Sequence, residues 1–228
     1  MAKPNRGGKR GSGSFTDGLT LDDGTTFEFE GTLTFGADDA TVTATQRQAI
    51  EGWEAKRSTA KVEYAYAVDA NGNPIGAEVR GSKGSVKTPY SFHFTDDGVF
   101  THIHPRTGDS AGILGGTFST ADSRNFTIGT GKTVRAVAKE GTYSLSKTSS
   151  FDSTGFMSYV SGLDTQHRGT LTTKAKKLAS DYRSGKITYD DYAKAYDRIF
   201  NSYLVELHNG YLAGQKQYGY TYTLERRK

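Results

Sequence analysis

The stretch Val99-Phe-Thr-His-Ile-His-Pro105, read together with Ser119-Thr-Ala-Asp122 further along the chain, decides the reading of this protein. Val99–Ile103 has the β-branched and aromatic character of a strand, and strand side chains repeat on one side every second residue. His102 and His104 therefore project to the same side and converge. Pro105 ends the strand, and a Gly-rich loop runs to Phe118. Ser119 then has the character of a helix cap, with Asp122 three residues on in the first turn. A carboxylate there can join the two imidazoles as a third ligand. Two His and one Asp leave a fourth position open for water, which is how a catalytic rather than a structural zinc is held.

Working outward, Val62–Val68 reads as a strand, Asp69–Asn73 as an Asn-Gly turn, and Pro74–Val79 as the returning arm of a hairpin. Thr26–Phe35 alternates Phe with polar residues and predicts a strand or hairpin arm. Thr45–Lys56 predicts a short amphipathic helix capped by its own Thr45, with Ile50 and Trp53 on one face. Thr133–Ala138 and Thr142–Leu145 predict two further strands around Glu140-Gly141. From about Ser150 the character changes: Lys174–Tyr182 and Tyr189–Leu212 have helical spacing. Thr188 caps the second of these, with Asp190 and Asp191 favourably placed at its N-terminus. Tyr192, Tyr196, Ile199, Tyr203 and Leu207 form a stripe expected to pack on the rest of the protein. Tyr218–Leu224 reads as a closing strand.

This pattern predicts an α+β fold, a mixed β-sheet flanked by helices with a C-terminal helical extension. It divides the chain into a basic, Gly/Ser-rich tail over 1–14, a body over 15–149 and the extension over 150–228. In the tail, Lys3, Arg6, Lys9 and Arg10 could touch nucleic acid, but the net charge of +4 is too small to define a nucleic-acid binder. The absence of cysteine excludes disulfides, thiolate metal sites and a Cys nucleophile. The 14 Tyr and 12 Phe compensate for a low apolar content by burying much surface per residue. No apolar run is long enough for a membrane span, and the first residues lack a signal-peptide core, so a cytoplasmic location is expected and no membrane partner.

The segment Thr101-His-Ile-His-Pro followed by Ser119-Thr-Ala-Asp122 resembles the His-x-His-Pro…Ser-x-x-Asp signature of the JAB/JAMM/MPN zinc metallopeptidases, including their RadC-like branch. Upstream, Glu63-Tyr-Ala-Tyr-Ala-Val-Asp-Ala-Asn-Gly-Asn-Pro-Ile and Gly81-Ser-Lys-Gly-Ser-Val86 are similar to that branch's opening hairpin. Downstream, Val134-Arg-Ala-Val137 and Gly141-Thr-Tyr-Ser-Leu145 fall where the family closes its sheet. The resemblance covers roughly Val62–Leu145. It implies a JAB/MPN-like fold, with His102, His104 and Asp122 as zinc ligands, Glu63 as general base and Ser119 as the hydroxyl that steadies the oxyanion. The chain departs from the family in the length of the loop between His104 and Ser119, where an insertion must be looped out. Glu54 and Glu78 are alternative bases.

The resemblance implies a zinc-dependent hydrolase of peptide or isopeptide bonds, with a protein or peptide as substrate. The C-terminal helical segment is similar in style to JAB-type modules of phage-encoded proteins, which implies a phage or mobile-element origin, in the host cytoplasm or on the virion. The alternative is a phage-encoded interaction protein, a virion component or an inhibitor of a host defence complex, in which the same scaffold meets a host or phage protein without catalysis. A nucleic-acid-associated accessory role is a third. Among the other histidines, His93 is expected to be structural or exposed, while His167 and His208 are expected at the surface or at helix caps. Asp109 and Ser110 lie in the inserted loop.

Overall fold

The computed structural model describes residues 12–105 and 112–226. Asp109 and Ser110, and most of the basic N-terminal stretch, lie outside the described residues.

Strands β1 (Gly13–Thr20) and β2 (Thr26–Phe35) form an antiparallel hairpin, so the first strand begins inside the stretch read as a tail. The alternation in β2 buries Phe27, Phe29, Leu33 and Phe35 while Glu28 and Glu30 stay exposed. Helix α1 (Ala44–Arg57) follows. Its cap is Thr43, not Thr45: the Thr43 side chain accepts from the Gln46 backbone while the Gln46 side chain accepts from the Thr43 N–H. That reciprocal pair satisfies two otherwise orphaned donors, worth about 1 kcal/mol.

The main sheet contains β3 (Tyr64–Val68), β4 (Val79–Arg80), β5 (Val99–Ile103), β6 (Thr133–Val137), β7 (Gly141–Lys147) and β8 (Tyr220–Arg226), in the spatial order β4-β3-β5-β6-β7-β8. All neighbours are antiparallel except β5 and β6, which run parallel and need a crossover. Helix α2 (Thr120–Thr127) lies in that crossover. The expected returning arm Pro74–Val79 is mostly irregular: only a bridge from Val68 to Pro74 and the short β4 pair with β3. Pro74 has no N–H to donate to a ladder, and Gly76 adopts a positive φ of 75°, so a regular strand breaks there.

Helix α3 (Ser153–Arg183) begins far earlier than the Lys174–Tyr182 segment with clear helical spacing. Gly155, Gly162 and Gly169 lower its intrinsic propensity, and packing of Phe156 and Val160 into the core supplies what propensity does not. Helix α4 (Tyr189–Tyr218) starts at the expected Thr188, where a reciprocal cap with Asp191 forms, and ends at Gly219, whose φ of 66° needs glycine. Its predicted stripe is half-buried along the seam with α3, with only Leu207 fully buried. The more deeply buried face carries Asn201, Ser202, Val205, His208 and Tyr211 and packs on β2. A periodicity search passes over such a face because it is partly polar. Asn201 serves backbone groups there, donating to Glu28 O (3.0 Å) and Gly112 O (2.7 Å) and accepting from Leu114 N–H (2.9 Å). His208 is fully buried rather than at the surface, and its Nδ1 meets the Tyr222 hydroxyl at 2.9 Å. Burial pushes its pKa down to about 4, so the ring is neutral. His93 is buried in a 3-10 turn over Tyr90–Phe94, as a structural residue, and His167 is half-buried on α3.

The two faces of the sheet differ. Under α1 lie Val42, Ile50, Val68 and Val99 with a buried ionic centre. Arg135 there donates to Glu54 at 2.9 and 3.2 Å and to Glu225 at 3.2 Å twice. The opposite face carries the larger core, which includes Phe100, Phe118, Phe126, Phe156 and Tyr211. Because residues alternate along β5 and β6, Thr101 and Arg135 face α1 while His102 and Ala136 face the larger core.

Candidate metal centre

The strand alternation that sends Thr101 towards α1 sends His102 and His104 together to the other side. Their Nε2 atoms lie 3.0 Å apart. Asp122 approaches from the first turn of α2, with Oδ1 3.4 Å from His102 Nε2 and Oδ2 3.9 Å from His104 Nε2. His102, His104 and Asp122 are the group that could hold a metal ion among the described residues. Ligands about 2.1 Å from a tetrahedral zinc stand roughly 3.4 Å from one another. The His102–His104 and His102–Asp122 Oδ1 separations lie near that value, and one ligand atom from each of the three residues lies within 4.8 Å of the others.

The protonation chemistry also fits a cation. Nδ1 of His104 lies 3.2 Å from Gly115 O and 3.1 Å from Gly116 O. Carbonyls only accept, so Nδ1 carries the proton and Nε2 offers its lone pair towards His102, the usual arrangement for a metal-bound histidine. Two imidazole nitrogens at 3.0 Å must share either one proton or one cation. His102 is buried, and burial pushes its pKa down to about 4 against the opposing pull of Asp122, leaving the neutral form that metal binding requires. Its ring is held by stacking on Phe100 at 5.4 Å, while its Nδ1 is buried with no hydrogen-bond partner among the described residues.

Asp122 is oriented by the helix cap. Its Oδ2 accepts from the Ser119 N–H (2.8 Å) and from the Ser119 hydroxyl (2.6 Å), leaving Oδ1 turned towards His102. Burial raises the Asp122 pKa, but the two histidines and the Ser119 bonds outweigh it and hold the carboxyl below its usual range. Ser119, expected to steady an oxyanion, has its proton engaged on Asp122 in this geometry.

Glu63 comes to the same place by register. Ala65 pairs with His102 in the antiparallel β3–β5 ladder, and continuing that register by one pair of alternating residues sets Glu63 opposite His104. Its backbone is fixed by bonds from its N–H to Ser82 O (2.7 Å) and from the Gly81 N–H to its carbonyl (2.8 Å). Its carboxylate forms no hydrogen bond or ion pair with any described residue. Burial pushes its pKa up to about 7, with His104 opposing the rise and Asp122 adding to it. The alternative glutamates are engaged elsewhere. Glu54 serves Arg135 and Thr101 on the opposite face of the sheet. Glu78 accepts from the Trp53 indole and from Arg57 at 2.6 and 2.9 Å.

One residue with a clear place here was missed in the sequence, Glu140. Its carboxylate accepts from Gly115 N–H (2.9 Å), Gly116 N–H (3.0 Å) and the Tyr143 hydroxyl (2.7 Å). The Gly115–Gly116 peptide, held by Glu140 through the Gly116 N–H, turns its carbonyl to His104 Nδ1, and the Gly116 carbonyl lies beside it. The paired glycines are the signal that could have pointed to it. A Cβ on Gly115 would lie 2.5 Å from that of Ala138, and Gly116 has φ +77° with Leu204 2.9 Å from where its Cβ would be. The turn can therefore close on Glu140 only with glycines.

Glu63, His104 and Ser119 line one end of a cleft of about 350 Å³, whose other wall comes from α3 and α4. Comparison of the chain with models of known families, with curated proteins and with solved structures finds no match in any of the three. No described helix is long and apolar enough to cross a membrane.

Proposed function

We propose that this chain is a zinc-dependent hydrolase of peptide or isopeptide bonds with a JAB/MPN-like site. The observation that carries the reading is the convergence of His102, His104 and Asp122 beside Glu63, a buried carboxylate with no bonded partner among the described residues, at the end of an open cleft. His104 Nε2, His102 Nε2 and Asp122 Oδ1 would hold the ion. Zinc in such an N2O set supplies a Lewis acid for the scissile carbonyl and a bound water acidified to near neutrality. Glu63 takes the proton of the attacking water at its carboxylate and passes it to the leaving amine. Burial lifts this carboxyl to about 7 in the metal-free chain, and a carboxyl raised above its ordinary value is suited to both transfers. Ser119 orients Asp122 rather than serving as a separate donor, and Glu140 keeps His104 in the ligating tautomer through the Gly115–Gly116 turn.

The test is a zinc titration of the full chain combined with cleavage of peptide and isopeptide-linked substrates before and after chelation. Near-stoichiometric zinc, cleavage lost on chelation and cleavage restored by zinc are expected. A chain that binds no zinc at micromolar concentration would refute the reading.

A further inference from the structure

The cleft does not stop at the metal ligands. It runs from Glu63 and Ser119 into the seam of the α3–α4 hairpin, where Leu163 and Leu171 on α3 and Phe200 and Leu204 on α4 face it. All four of these apolar side chains are only half-buried. Helix pairs ordinarily close such a seam with their own side chains, whereas here large apolar groups remain open to a space continuous with the reacting centre. Cavities of roughly 300–1,000 Å³ lined by apolar groups with a few placed polar ones suit small ligand groups, and the volume of about 350 Å³ falls in that range. The polar groups at this end are already paired with one another. Tyr203 donates to Asp164 at 2.6 Å, and Arg168 donates to the same carboxylate at 3.0 and 3.2 Å. They therefore offer a neutralised rim at this end, and the cleft's other cation, Lys83, follows Ser82, whose carbonyl accepts from the Glu63 N–H at the far end.

We infer that the seam is a specificity pocket that takes a large aliphatic or aromatic side chain of the peptide substrate, next to the bond placed between Glu63 and Ser119. This rests on the hydrolase reading for the identity of the occupant as a peptide. The apolar surface left open on the seam is covered only when a substrate side chain enters, so a small or charged residue at that position forgoes the gain. A missing methylene alone costs on the order of 10–200-fold in such pockets.

The experiment uses the full chain, freed of metal by chelation and carrying isotope-labelled leucine methyls. The probes are acetyl-Gly-X-Gly-amide peptides in which X is Leu, Phe, Ala or Asp. The Leu and Phe peptides are expected to shift the methyl signals of Leu163, Leu171 and Leu204 and to bind at least about tenfold more tightly than the Ala peptide. Leu171→Arg, at a half-buried position, is expected to bring that ratio close to one with the circular dichroism spectrum unchanged. If that variant misfolds, the signal map and affinity ratio of the unmodified chain decide alone. Equal binding of Leu and Ala peptides, or shifts confined to leucines away from the seam, overturns the pocket. Because binding is read without metal, the two readings fail separately. Zinc-dependent cleavage with no side-chain preference would sink the pocket alone, and apolar preference in a chain that binds no zinc would sink the hydrolase alone.

Discussion

Glu63 stands across the β3–β5 ladder from His104, two residues beyond the pairing of Ala65 with His102. Neighbours on facing antiparallel strands present their side chains to the same side of the sheet. A glutamate and a histidine far apart in sequence are thereby delivered to one point, and burial there lifts the glutamate's pKa to about 7. The ladder thus sets Glu63 beside His104 without contributing a bond to either side chain.

Glu63→Gln is expected to bind zinc nearly as well as the unmodified chain, because Glu63 is not one of the three converging donors. It should lower turnover by on the order of 10²–10⁴-fold, since an amide cannot accept the proton. On the hydrolase reading Glu63 acts ionised; burial lifts its carboxyl to about 7 in the metal-free chain, and a bound dication would lower it again. The rate should therefore climb with pH through a point below about 7 and level off above it. A rate-versus-pH series with both proteins checks this, and full turnover in Glu63→Gln would remove the role from Glu63.

Zinc affinity should collapse in His104→Ala, falling by well over about 100-fold, as removal of a ligand costs more than loss of the groups that support it. Glu140→Gln tests the support itself. It keeps the shape but replaces one accepting oxygen with an amide NH2, so a buried backbone N–H at Gly115 or Gly116 loses its acceptor. Zinc affinity should fall about 10–100-fold and stability by about 1–3 kcal/mol. Competition with a chromogenic chelator measures both variants.

Ser119→Ala separates two roles. Its hydroxyl accepts from the Asp122 N–H at 3.2 Å and donates to the Asp122 carboxylate at 2.6 Å. Losing it should cost about 1 kcal/mol of stability through the cap and weaken zinc binding. Turnover at saturating zinc should change less than affinity does. The opposite result, zinc binding untouched and turnover lost, would assign Ser119 to the oxyanion.

Stability should fall in acid through the face of the sheet away from the site. Burial raises the carboxyls of Glu225 and Asp39, but their partners outweigh it: Arg135, the Asp39 N–H and Arg47 for Glu225, and Ser144, Thr41 and Ser146 for Asp39. Both pKa values end below their ordinary 4.5 and 3.8. With folded values depressed, the contribution is present above those ordinary values and is lost as pH falls through the lowered ones. Denaturant midpoints measured from pH 7 down to pH 2 should show this, with Glu225→Gln less sensitive to acid. Arg135→Leu should cost about 3–5 kcal/mol, because it leaves buried Glu54 with the Thr101 hydroxyl but no ion-pair partner and leaves Glu225 with Arg47 alone as its cation.

Local chemistry alone made several elements legible. The two-residue repeat of a strand put His102 and His104 on one side, the cap pattern set Ser119 and Asp122 at the start of α2, and Thr188 with its acids set the start of α4. These are effects of neighbours within a few residues, so they can be read from order alone. Tertiary structure decided the rest. Glu63, the base the resemblance implies, is set beside His104 by strand register, while Arg135 and Arg57 engage the alternatives Glu54 and Glu78. The first half of α3, with its three glycines, becomes a helix because Phe156 and Val160 are buried by distant parts of the chain. Glu140 reaches the turn behind His104, and Asn201 and His208 are buried on α4, through contacts across long sequence separations. Such contacts depend on which backbone groups are left needing partners after the sheet and helices assemble, and that demand is a property of the packed molecule rather than of any local run of residues.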